Sequence, residues 1–130
     1  QLWPLLLPDA PATWARAVAY AERAHGVPGG FDFNDDRDGL WVEGTAQAAL
    51  AYRALGRPAD AERMLAEVAR HVSPGGYLFA TREPRLTTGL AIGPDSTTDD
   101  FLYFRRPHLA ATAWAILAAR GWNPFTGRAY

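Results

Sequence analysis

The sequence contains no cysteine, no lysine and one methionine, Met64. The first absence excludes disulfides, thiolate nucleophiles and cysteine-ligated zinc, and it leaves the redox compartment unread. The second makes arginine the source of all 13 basic charges. An arginine near a site suits bidentate contacts to carboxylates or phosphates. An excess of one charge is also missing. The formal net charge is -1, which gives no footprint for nucleic acid or an anionic membrane. No apolar run approaches the roughly 18–20 residues of a membrane span. The opening QLWPLLLP is short, interrupted by Pro4 and Pro8 and preceded by no basic region, so it reads as neither signal peptide nor anchor. A soluble chain of unassigned compartment is expected. The first residue is not Met, as expected of a processed product or a piece of a longer chain.

What is present suits one domain: 130 residues, 48% of them hydrophobic, enough for a buried core. Helical spacing of Trp14, Ala17, Val18, Ala21 and Ala24 predicts a helix starting at Asp9 or Pro11 and closing at His25-Gly26. A second runs from about Trp41 to Leu55. Its small residues (Gly44, Ala46, Ala48, Ala49, Ala51, Ala54) suit burial among other helices. Gly44 costs about 1 kcal/mol of propensity relative to Ala, which predicts a packing or access reason for it. A third, Pro58 to Val72, is amphipathic, with Ala61, Met64, Leu65 and Val68 on its apolar stripe. The last runs from Pro107 or His108 to Arg120. Between the third and fourth, residues 77–107 are rich in turn formers and aromatics, with a short strand pair of Tyr77–Thr81 and Phe101–Phe104 conceivable.

The breaks between helices repeat. Ala15–Gly30 matches Ala61–Gly76 as a helix, a histidine near its end, a proline and a Gly-Gly turn. Thr45-Ala46-Gln47-Ala48-Ala49-Leu50-Ala51 matches Thr112-Ala113-Trp114-Ala115-Ile116-Leu117-Ala118. The expectation is an all-α fold of tandem αα-hairpins, hairpin 1 about 9–56 and hairpin 2 about 58–121. The long loops would lie on one face, and Trp14, Trp114 and Trp122 in the core. Such units stack and normally need about three or more to bury their faces.

The stretches GGFDFNDDRDGLWVEGTAQ, GGYLFATRE and FRRPHLAATAWAILAARGWNPF resemble the C-terminal hairpins of bacterial α/α-toroid proteins, the six-hairpin glycosidase-like class. No complete signature of one glycosidase family is present. The resemblance implies part of an (α/α)6 toroid with residues 29–43 and 75–108 on its substrate face. It also implies that the rest of a ring comes from a longer chain or from self-association.

Glycoside cleavage works with two carboxyls about 5–5.5 Å or 6.5–9.5 Å apart, one with a raised pKa. Glu43, on the first turn of an apolar helix, is the candidate acid/base, with Asp99 or its neighbour Asp100 as the second catalytic carboxyl. Trp41, Tyr77, Arg82, Tyr103, Arg105 and His108 are the candidate substrate-binding residues, since aromatic faces suit a sugar's apolar ring face and the polar groups its hydroxyls. Asn34-Asp35-Asp36-Arg37-Asp38-Gly39 also fits the first half of a calcium loop, D-x-[DN]-x-[DN]-G, giving Asn34, Asp36 and Asp38 as speculative calcium ligands. The twelfth position is Thr45 rather than a bidentate glutamate, so the pattern is incomplete. No other cofactor is implied. The predicted function is a carbohydrate-directed domain, hydrolysing or binding a glycan or other small polar ligand at the 29–43/77–108 face. The alternative is a non-catalytic helical-repeat interaction module. A terpenoid-cyclase-like toroid lacks its D-x-D-D or D-D-x-x-D motif here.

Overall fold

Glycine and proline punctuate the chain, and between them, among the described residues, four α-helices form: α1 (Arg16–Ala24), α2 (Val42–Ala54), α3 (Pro58–Val68) and α4 (Leu109–Arg120). The structure is a computed structural model and describes residues 2–96, 98, 99 and 101–130. Short 3-10 turns at Trp3–Leu6, Ala12–Ala15 and Ala69–His71 extend the helical set. Asp9 caps nothing, because the turn ahead of α1 starts after Pro11.

α2 is the core. Nine of its 13 residues are buried, and it packs against α3, α4 and the Trp3–Leu6 turn. A helix of alanines permits that approach on several sides. α3 buries Ala61 and Val68 and turns its charges outward. α4 is as apolar as α2 but buries only Ala111 and Ala118 completely. Its outer side leaves Leu109 72% and Ile116 52% exposed. Among the described residues no helix is long and apolar enough to cross a membrane.

The all-α expectation does not hold. Six short strands pair as three two-stranded antiparallel sheets, so the fold is mixed α/β. β1 (Gly26–Val27) pairs with β2 (Gly30–Phe31), β3 (Arg85–Leu90) with β4 (Phe101–Phe104), and β5 (Trp122–Asn123) with β6 (Arg128–Ala129). The loops close on themselves because their backbone polar groups need partners. Gly29 (φ +92) takes the left-handed turn that lets β2 fold back on β1. β4 pairs with Arg85–Leu90, not with Tyr77–Thr81. The latter stretch instead makes single bridges: Leu78 to Val72, Phe79 to Pro107 and Thr81 to Trp41. Trp14 (43% exposed) and Trp122 (44%) lie at the surface, not in the core, and Trp114 is half-buried.

The two long loops knit together at the start of α2. Trp41 N–H donates to Phe31 O (2.8 Å), Val42 N–H to Ala80 O (3.0 Å) and Arg82 N–H to Leu40 O (3.1 Å). The internal repeat has a physical counterpart here. Thr45 Oγ1 accepts from Phe31 N–H (3.0 Å) and donates to Trp41 O (2.9 Å). Its counterpart Thr112 accepts from Leu78 N–H (2.9 Å) and donates to His108 O (2.8 Å). Each threonine therefore fastens a loop strand to the first turn of an inner helix.

The chain ends are clasped by buried Asn123, whose Nδ2 donates to Leu6 O (2.7 Å) and the Tyr130 hydroxyl (2.5 Å) while Oδ1 accepts from Phe125 N–H (2.9 Å). Truncation leaves these groups without partners. Asn123→Ala is expected to lower the unfolding free energy by about 2–3 kcal/mol in urea denaturation. A loss below about 0.5 kcal/mol would show that the clasp contributes nothing.

Candidate functional site

The site begins with a helical glycine. A Cβ placed on Gly44 would lie 2.0 Å from Cε3 of Trp41, so the indole rests on the bare backbone of the first turn of α2. That is the packing reason for a residue unfavourable in a helix. The same closeness recurs at Gly30, where a Cβ would meet Thr45 Oγ1 at 2.4 Å.

Once seated, Trp41 organises aromatic neighbours. Phe33 meets it edge-on at 4.8 Å between ring centroids, and Tyr103 lies 5.6 Å from Phe33 and 6.2 Å from Trp41. A second set gathers at the chain ends: Trp3 stacks on Phe125 at 5.6 Å, and Phe125 tilts against Trp114 at 6.4 Å. Both sets line one surface groove of ≈ 470 Å³, together with Glu43 and Gln47. That volume falls within the roughly 300–1,000 Å³ of small-molecule sites.

Glu43 is the one carboxyl among the described residues that line the groove. Gln47 Nε2 donates to its Oε1 (3.1 Å), and Oε2 lies 3.8 Å from His108 Nδ1. Burial raises its pKa above the ordinary 4.5, against the opposing pull of His108 and Gln47. His108 caps α4, its Nδ1 accepting from Ala111 N–H (3.2 Å), so the neutral ring carries its proton on Nε2. Tyr103 stands perpendicular to that ring at 5.7 Å. Burial, then the nearby Glu43 charge, raises the Tyr103 phenol above its usual range. Behind the groove, Trp41 Nε1 and Gln47 Oε1 are buried without a protein partner. Both residues also line a cavity of ≈ 40 Å³ shared with His25 and Asp32. Unpaired buried polar atoms cost about 1–3 kcal/mol each, and local rules are broken most often at functional sites.

The acidic loop folds around its own donors. Asp32 Oδ1 accepts from Phe33 N–H (2.7 Å) and Oδ2 from Gly39 N–H (3.3 Å). Asp38 Oδ2 accepts from Thr87 N–H (3.0 Å), and Asp36 accepts from the Thr87 hydroxyl, Asn34 Nδ2 and Asp38 N–H. Asp32, Asp36 and Asp38 bring carboxylate oxygens within 4.8 Å of one another. Three carboxylates suit calcium in number, but N–H and O–H donors of the protein already engage them. Asn34 turns its amide nitrogen, not its oxygen, toward Asp36. Burial pushes the Asp32 carboxyl up to about 6, with Asp38 and Asp36 adding to it and the two backbone N–H groups opposing.

Of the residues singled out by sequence, Trp41, Glu43, Tyr103 and His108 come together. Asp99 does not join them. It is exposed and does not line the groove; Asp100 lies outside the described residues. Arg82 is spent on Glu83 Oε1 (2.7 Å) and Pro28 O (2.7 Å). Arg105 donates to Thr81 O (3.1 Å) and Arg82 O (2.7 Å) while lying 4.3 Å over the Phe79 ring. Both arginines hold loops together rather than line the groove. Tyr77 is 49% exposed and lies outside it. Residues missed by sequence reasoning are Gln47, Trp3, Trp114 and Phe125. Gln47 alone carried a signal, one helical turn beyond Glu43 on the same face. No family model matches the chain, and no curated protein or solved structure matches it either.

Gly44→Ala tests the seating of Trp41. Alanine gains about 1 kcal/mol of helix propensity, whereas overpacking a filled site costs about 1–3 kcal/mol. A net loss of about 1 kcal/mol in urea denaturation is expected, with an altered Trp emission spectrum; a net gain would show that the indole is not held there. Asp32 gives a pH test. Its native pKa of about 6 exceeds the ordinary 3.8, so between these values the native state holds a proton that the unfolded state has released. Stability is therefore expected to fall as pH rises through this window, by on the order of 2–3 kcal/mol. Glu43, also raised, adds to the slope. Asp36 and Glu67, both depressed, act in the opposite direction at lower pH. Asp32→Asn should flatten the slope of urea-derived stability against pH, and an unchanged slope would exclude Asp32 as its source.

Proposed function

We propose that the groove binds a carbohydrate, with the aromatic side chains against sugar ring faces and Glu43 and Gln47 bonded to hydroxyls. The observation that carries this is two sets of aromatic rings around one groove whose single carboxyl is a desolvated glutamate. Rings with apolar faces beside a few fixed polar groups suit a ligand with both apolar and hydroxylated surface. Binding is favoured over hydrolysis because general acid–base cleavage of a glycoside uses a pair of carboxyls about 5–10 Å apart. The likeness of the loop phrases to six-hairpin proteins supports the same ligand class. A second reading draws on another observation, the exposed Leu109 and Ile116 of α4. They favour a helical interaction module packed on further chain or on a second copy.

Glu43→Gln separates the two. Burial disfavours the Glu43 charge, so the neutral amide should leave stability equal or higher at pH 7 while removing a charge-assisted acceptor. Affinity for soluble oligosaccharides, read by Trp fluorescence and calorimetry, is expected to fall about tenfold, equivalent to ~1.4 kcal/mol. Tyr103→Ala should lower it similarly. A parent protein that binds no glycan, and self-associates through a surface disrupted by Ile116→Glu, would support the interaction module instead.

A further inference from the structure

Resting on the carbohydrate reading, the cavity behind the groove narrows the ligand further. We infer that this cavity is a subsite for a primary hydroxyl, the hydroxymethyl arm of a hexose, and so sets hexoses apart from pentoses and 6-deoxy sugars. Six buried side-chain atoms lack a partner among the described residues, and three of them belong to residues lining this one cavity: His25 Nδ1, Trp41 Nε1 and Gln47 Oε1. Trp41 and Gln47 are more than nine-tenths buried, at 6% and 5% exposure. The three residues come from the end of α1, the entry to α2 and its second turn, so no single local irregularity leaves them unpaired.

The unpaired atoms decide which guest fits. The Gln47 amide gives its Nε2 to Glu43 at 3.1 Å, which leaves its oxygen as an acceptor alone. The indole N–H of Trp41 is a donor alone. A guest must therefore donate one hydrogen bond and accept another, and a hydroxyl is the smallest carbon-borne group that does both. Ammonium groups only donate and carboxylates only accept. A carboxylate would also stand beside buried Asp32, which lines the same cavity. The space of ≈ 40 Å³ holds about three atoms of water's size, enough for a hydroxymethyl group and too little for a pyranose ring. Phe33, Trp41 and Gln47 line both the cavity and the groove, so the two spaces adjoin. A hexose in the groove carries one hydroxyl that stands off its ring by a carbon atom, and this is the group that enters the cavity. Two hydrogen bonds gained there strengthen binding by about 10–100-fold.

The experiment titrates the whole chain with methyl β-glucoside, methyl β-xyloside and methyl 6-deoxy-β-glucoside, followed by calorimetry and by the indole N–H resonance of Trp41. The glucoside should bind about 10–100-fold tighter than the other two, and it alone should move that resonance downfield. The 6-deoxy sugar keeps the arm's carbon and loses only its oxygen, so it separates the hydroxyl from bulk. Ala21→Val narrows the cavity at a residue outside the groove lining. It should bring the glucoside down to the affinity of the xyloside and leave the xyloside unchanged. A glucoside no tighter than either of the others, an unmoved Trp41 resonance, or a margin that survives in folded Ala21→Val would overturn this inference and leave the carbohydrate reading standing. Where Ala21→Val does not fold, the three sugars and the resonance on the parent chain decide alone. No binding of any of the three, with the chain folded by circular dichroism, would overturn both.

Discussion

The contact on which most of the structure depends is the indole of Trp41 lying across Gly44. It needs a backbone without a side chain, and it fixes the direction in which the acidic loop enters α2. The same residue bonds to Phe31 through its N–H, bridges Thr81 and receives the Thr45 hydroxyl on its carbonyl. One tryptophan thus joins both long loops to the central helix. The ring cluster with Phe33 and Tyr103 follows from that placement, since each of these rings belongs to a loop that Trp41 anchors. Displacing the indole would loosen loops more than 40 residues apart in sequence, because no disulfide or other covalent link holds them.

The electrostatics run against stability in the same region. Asp32 and Glu43 are both raised by burial, so each charge is tolerated rather than favoured where it stands. By contrast, Asp60 pairs with Arg57 and Arg63, and Glu67 with His71 and Arg70, and both shift the other way. Carboxyls that resist ionisation cluster around the groove and the cavity behind it. Glu43 lines the groove and Asp32 the adjoining cavity, and the two spaces share Phe33, Trp41 and Gln47. The histidine beside Glu43 does not simply neutralise it. Its Nδ1 accepts from Ala111 N–H (3.2 Å) and so serves as the cap of α4.

Sequence periodicity located α2, α3 and α4 because helix signals are local: apolar spacing, capping residues and glycine stops; α1 begins only at Arg16, after a 3-10 turn, rather than at Asp9 or Pro11. Of the strands, Phe101–Phe104 was legible from its aromatic run, but its partner and the two-residue strands were not. Two-residue strands have no period to detect, and β3 finds β4 across a loop whose length says nothing about register. Aromatic density marked the loops as ordered and directed attention to Trp41 and Tyr103. It could not say that Trp3 and Phe125, at opposite ends of the chain, complete the same groove. That closure depends on Asn123 holding Leu6, a long-range contact with no sequence signature. Asp99 shows the limit of the same signal: it lies just ahead of the aromatic strand in sequence, yet it is exposed and does not line the groove.

The repeat explains why the site is asymmetric although its frame is not. Thr45 and Thr112 make the same pair of bonds, so α2 and α4 begin in the same way, and Glu43 and Gln47 of α2 line one groove with Trp114 of α4. Matching positions then carry different chemistry. The residue four before the threonine is Trp41 in one unit and His108 in the other; two before it stand Glu43 and Ala110; two after it, Gln47 and Trp114. α2 therefore supplies the groove's carboxyl and amide and α4 its Trp114, while His108 at the start of α4 stands 3.8 Å from Glu43. Equivalent positions of the repeat thus carry a carboxyl against an alanine and an amide against a tryptophan, and the groove takes its carboxyl and amide from α2 where α4 gives an aromatic ring.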